Sequence, residues 1–364
     1  MDRQLFKETF SALHASPDTI TEVIEMANGN TERKSRNAAR TGALIALAAA
    51  LLMGGALAAT SGFFDSVFGS KGQDDVAAHE VVEESKGSTY EVPAMEWSEV
   101  DEALAEELVG EHVASVGTSV SVGDWTLTVD DYTIDDCGIG AIVYTLSNPN
   151  GLGDTIRDAG YGEYFVDGNS PDGLREIGLD GDEPIHMFDT RNIVDKNLTT
   201  DTELHAVMYF APFYHFQAGE SIHMTLQRIV GDPPTPEEDA MGVEPEWEEQ
   251  TITFTPESFI PSREFRSEEG YTAHVSPIGI FFDNDFEGAD PNAYLRELAL
   301  ELDDGTEYVL KSEDPYVDNQ IVSCGSPRSD VEASVFNRLV DADDVVSVTR
   351  NGAEEEMIVF TPAG

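Results

Sequence analysis

The chain has 364 residues, a formal charge of −51 and two cysteines, Cys137 and Cys324. The acidic excess argues against partners that are themselves polyanions, nucleic acid and anionic lipid alike, and two cysteines so far apart exclude a disulfide scaffold or a zinc ribbon. Residues 1–40 hold 6 basic and 6 acidic side chains, so the whole excess lies beyond them, on a stretch long enough for two domains of ordinary size.

Residues 1–40 read as two short helices in a cytoplasmic segment. Leu5, Phe6, Phe10 and Leu13 form an apolar stripe on the first. Ser16, Pro17 and Asp18 give the second an N-cap, an N1 proline and an acidic first turn. Ile20, Val23, Ile24 and Ala27 follow at helical spacing, and Gly29 suits the C-terminal stop. Helices of about a dozen residues are marginal alone, so these faces need each other or a partner.

Residues 41–60 then run for 20 positions without a charge, Asn, Gln or Pro. As a helix they would extend roughly 30 Å, the thickness of a bilayer's hydrocarbon core. The rivals are a core helix, which would normally show a polar face, and a signal peptide cleaved after Ala58, whose apolar region would be shorter. Arg33, Lys34, Arg36 and Arg40 crowd the leading edge, whereas residues 61–85 offer only Lys71. That asymmetry orients the span with the N-terminus inside the cell membrane and the C-terminal bulk extracellular.

Residues 61–114 read as a tether. Phe63, Phe64 and Phe68 are expected at the membrane surface, and a short amphipathic helix lies over 96–110. From Ser115 the period becomes two, with strands around Gly123-Asp124 and Trp125, Leu127 and Val129 on one face. Residues 115–230 form the first β domain, 231–249 a Pro/Glu-rich linker, and 250–364 a second β domain with Asp-Gly and Asn-Gly turns. The fold class expected is mainly β, two extracellular β-sandwich-like domains behind a helical cytoplasmic segment and one transmembrane helix.

Catalytic signatures are weak. His79-Glu80-Val81-Val82-Glu83 lacks the second histidine of a zinc-protease helix. Asp283, Asp285 and Glu287 match the start of a calcium loop, but its twelfth position is Tyr294 instead of glutamate, so they are only weak metal candidates. His205, His215 and His223 read as ordinary strand histidines, and Gly138-Ile139-Gly140 is not a dinucleotide loop. No P-loop or nucleophile elbow is present, so no enzyme activity and no cofactor are expected.

LFKETFSALHASPDTITEVIEMA, ALAATSGFFDSVFGSKGQ and SVGDWTLTVDDYTIDDCGIGAIVYTLSN together resemble one family over roughly residues 4–150. It comprises single-pass membrane proteins of Gram-positive bacteria, anti-sigma-factor-like, with an extracellular β domain of unknown function. SVFNRLVDADDVVSVTRNG is similar to the Ig-like module that often follows. The resemblance implies an extracytoplasmic-function sigma factor as partner and an unknown envelope ligand. Leu5, Phe6, Phe10, Leu13, Ile20, Val23 and Ile24 are the positions expected to bind that partner. A surface-displayed binding or adhesion protein is the alternative.

Overall fold

The computed structural model describes residues 60–69, 79–83, 88–92, 100–153, 174–182, 188–230, 246–283, 297–312, 319–325, 331–351 and 357–363. The expected cytoplasmic helices, the apolar run up to its last residue, and Asp285 and Glu287 lie outside these residues. Ser61–Gly364 is one compact unit. Among the described residues no helix is long and apolar enough to cross a membrane.

The protein is mainly β. The first module is a sandwich of antiparallel strands. Its five-stranded sheet contains β3 (Ala114–Val122), β4 (Trp125–Ile134), β5 (Gly140–Ser147), β8 (Glu203–Pro212) and β7 (Phe188–Val194), in that order. The facing sheet contains β10 (Trp247–Phe254), β9 (Ile222–Ile229) and β6 (Leu174–Gly181). Trp125, Leu127 and Val129 all point inward, as their period of two requires. Beyond them the register shifts between Val129 and Asp131, and Tyr132 and Ile134 take over the inward positions. One extra residue reverses the parity of the strand, which is what a bulge does.

β10 moves the expected boundary. Its residues Gln250–Phe254 fall in the range expected for the second domain, yet β10 pairs with β9 along its whole length, and Ile252 is buried in the first core. The Pro/Glu content of 231–249 marked a break in pattern, but hydrogen bonding carries the chain back to the same sheet before it leaves.

The second module is a single nine-stranded sheet instead of two facing ones. Its order is β15 (Glu307–Lys311), β14 (Leu298–Leu302), β18 (Val345–Asn351), β19 (Met357–Pro362), β11 (Arg263–Ser267), β12 (Thr272–Ser276), β13 (Gly279–Asp283), β17 (Val331–Phe336) and β16 (Gln320–Gly325). The sheet curls around one core that takes Leu310 from one end and Phe336 from the other. Asn319, just before β16, ties the two ends together. Its backbone N–H donates to the Leu310 carbonyl and its amide to the Val309 carbonyl, each at 2.7 Å. These two bonds join the end strands at one point, while among the described residues no ladder runs between β15 and β16.

The stretch read as a tether is more structured than expected. Besides helix α2 (Glu102–Leu108), which lies within the stretch 96–110 where a short helix is expected, it holds helix α1 (Thr60–Phe68) and an antiparallel hairpin of β1 (His79–Glu83) with β2 (Ser88–Val92). Asp101 caps α2, its carboxylate accepting from the backbone of Ala103 and Leu104 at 3.1 Å.

Candidate functional site

The two modules meet in a third apolar core, and this seam is where the unexplained polar groups collect. β8 builds it from one side because both its faces are buried. Ala206, Met208 and Phe210 enter the sandwich, while Val207, Tyr209 and Ala211 enter the seam. Phe281 of β13, Ala333 and Val335 of β17 and Cys324 of β16 answer from the second module.

α1 and α2 also belong to the seam. Phe63, Phe64 and Val67 are buried there, and the Tyr209 hydroxyl donates to the Val67 carbonyl. This corrects the expectation that Phe63 and Phe64 sit at the membrane surface. An aromatic cluster after an apolar run looks the same in sequence whether lipid or a neighbouring module receives it. Ala105 and Val109 place α2 against the same core.

At the seam lies Asp135, 1% exposed, in the connection between β4 and β5. One of its oxygens accepts from the backbone N–H groups of Cys137 (3.0 Å) and Ile139 (2.9 Å), which shapes the connection. The other accepts from the Ser276 hydroxyl at 2.7 Å, across the module boundary. Residues 134–136 also bond the backbone of Ile260, and Asp135 forms a parallel bridge with it. Burial pushes the Asp135 carboxyl up to about 7, against the opposing pull of its Ser276 and Ile139 hydrogen bonds. The connection needs Gly138, at φ +95°, because a Cβ there would lie 2.5 Å from Cβ of Phe216. The fit between modules needs Gly279, where a Cβ would come within 2.6 Å of the Ser334 carbonyl and 2.8 Å of the Ile139 side chain.

Asp135, Asp136 and Cys137 bring their ligand-type atoms within 4.8 Å of one another. They do not fit a metal. The Asp135 oxygens are already taken by three donors, and Asp136 accepts from the Ser262 backbone. The Cys137 thiol is pushed up by burial and by the two carboxylates, so its thiolate is disfavoured.

A second cluster joins two features that the sequence offered separately. Asp283 meets His215 of the first module at 3.5 Å and His274 of β12 at 3.7 Å, each through a different oxygen. Both imidazoles flank the Phe281 ring. Because the imidazoles reach opposite oxygens, this trio is a carboxylate bridge between modules and not a single coordination sphere. His205 and His223 stay apart from it, each beside a local carboxylate, Glu203 and Asp182.

The cysteines are unpaired. Cys324 is buried, and its thiol donates to the Pro212 carbonyl of the first module at 2.8 Å. Burial raises its proton affinity and keeps it a thiol. Sequence reasoning missed Asp135, Ser276 and His274. The Asp-x-Cys-Gly step after a strand signals a turn, but nothing in it signals burial.

No protein-family model matches the chain, and no curated protein matches it. Among solved structures it is similar to "the crystal structure of the conserved domain protein from Bacillus anthracis", with 13% identity and a TM-score of 0.37 over 70% of this chain and 90% of that one. At that score the likeness bears on neither fold nor function.

Proposed function

We propose that the chain is a single-pass membrane regulator of the anti-sigma type, with residues 1–40 inside the cell and the two β modules outside. The observation that carries this reading is the place of α1. It begins at Thr60, where the uncharged run ends, and it buries Phe63, Phe64 and Val67 in the seam between modules. A change at the seam therefore acts on the residues that emerge directly from the apolar run. The arginine cluster before that run supports the orientation. Inside, Leu5, Phe6, Phe10, Leu13, Ile20, Val23 and Ile24 dock into a groove of an extracytoplasmic-function sigma factor. The outer modules read an envelope ligand, and the reading assigns the chain no reaction and no cofactor.

The test uses the full chain in cells. Crosslinking followed by capture of the protein should recover a sigma factor, and Phe10→Asp or Ile24→Asp should weaken that capture by about 2 kcal/mol or more, since each buries an unpaired charge. Labelling intact cells after denaturation of the outer part should reach Cys137 and Cys324. Capture of no sigma factor, with the thiols still reached from outside, turns the reading to a surface-displayed binding protein.

A further inference from the structure

We propose that Asp135 and Ser276 form a proton-controlled latch between the two β modules, closed by proton uptake and loosened by proton release. The inference concerns the seam itself and stands whether or not the chain regulates a sigma factor.

The geometry satisfies both protonation states. With Asp135 ionised, the Ser276 hydroxyl donates to its carboxylate at 2.7 Å. With Asp135 protonated, the direction reverses. The carboxyl O–H donates to Ser276 Oγ, and the serine hydrogen turns to the Gly279 carbonyl, 3.4 Å away. Ser276 Oγ has a second lone pair, which receives the Ile278 N–H at 3.4 Å. The two bonds from Cys137 and Ile139 to the other carboxyl oxygen are kept in both states. The proton can therefore come and go without orphaning a buried polar atom.

What changes is charge. Asp135 is almost fully buried, and Asp136 beside it carries the same sign. Ionisation places an unneutralised carboxylate inside an apolar seam, a cost that opening to water relieves. Other ionisable groups on the surrounding elements are Cys137 in the same connection, Asp130, Asp131 and Tyr132 on β4, Glu257 before Ile260, Arg263, Glu264 and Arg266 on β11, His274 on β12, Asp283 on β13, and His112 before β3. Because burial raises Asp135 to about 7 from its ordinary 3.8, the closed seam binds the proton more tightly than an open one. Closure is therefore favoured in acid and weakens as pH rises toward 7, with little further change above.

Cys324 reports on the seam, since its buried thiol bonds across to Pro212. The experiment treats the full chain in membranes with a pyridyl disulfide, which reacts with thiols in acid as well as at neutral pH. Modification of Cys324 is read by peptide mass spectrometry and divided by the rate for the unfolded chain at the same pH. Protection should fall by at least about tenfold between pH 5 and 7.5 and then level off. In Asp135→Asn the fall should vanish. Ser276→Ala removes a bond made in both states, but the one to the ionised carboxylate is the stronger, so the fall should move to higher pH. Protection that is flat in the wild-type chain overturns the latch. So does an unchanged pH profile in Ser276→Ala, or in Asp135→Asn where that variant folds.

Discussion

The sandwich core and the seam are built from the same strands by different rules. Inside the sandwich, β4 from Trp125 to Val129 and β9 from Ile222 to Leu226 bury an apolar residue at every second position and leave the polar ones between them half-buried. At the seam, β8 is buried on both faces, so its sequence AVMYFAP is nearly continuous in apolar residues. A strand buried on one face announces its partner layer through its period. One buried on both announces only that something else must cover it. The seam also takes in polar groups that link the modules, with Asp135, Ser276 and the His215–Asp283–His274 bridge all lying at the junction. The difference predicts a sandwich that is stable in itself and a seam that can be adjusted.

The largest effect should come from the sandwich. Phe210 is fully buried against Phe188, with ring centroids 5.2 Å apart. Phe210→Ala should lower stability by about 3–5 kcal/mol, read by denaturant unfolding. Because β8 serves both cores, the same substitution should also raise Cys324 labelling. Two separate unfolding transitions, with Cys324 unaffected, would break the comparison.

A wedge tests the seam alone. Gly279→Ala puts a methyl against the Ser334 carbonyl and Ile139. It should cost about 1–3 kcal/mol and expose Cys324, while near-ultraviolet dichroism of Trp125 stays unchanged. An altered Trp125 signal would mean that seam and sandwich are one rigid core. Asp101→Ala should cost about 1 kcal/mol by uncapping α2, which covers the seam, and should show as faster amide exchange over Glu102–Leu108. His215→Ala should do least. Its ring is 55% exposed and its partner is shared with His274, so the loss should stay below about 1 kcal/mol in unfolding experiments.

Much of the sandwich was legible. The Gly123-Asp124 turn closes between Val122 and Trp125, and GIGAIVYTLSN forms the buried strand β5 that its composition implies. The boundary at 231–249 was not, because a Pro/Glu-rich stretch shows where pattern stops and not which sheet resumes it. Nor was the curl of the second module. Short strands with turns between them suit two facing sheets as well as one curled sheet, and the choice rests on Asn319 reaching Val309 and Leu310.

The sequence by itself determined what depends on near neighbours along the chain: strand period, turn positions, the charge imbalance and the uncharged run at 41–60. Only the tertiary structure decided what depends on residues brought together from far apart. Phe63 and Phe64 carry no local mark that they enter the seam, and Asp135 and Ser276 stand 141 positions apart. An aspartate at a strand end is ordinary when solvated. It becomes a buried carboxyl with raised proton affinity only when the second module removes its water.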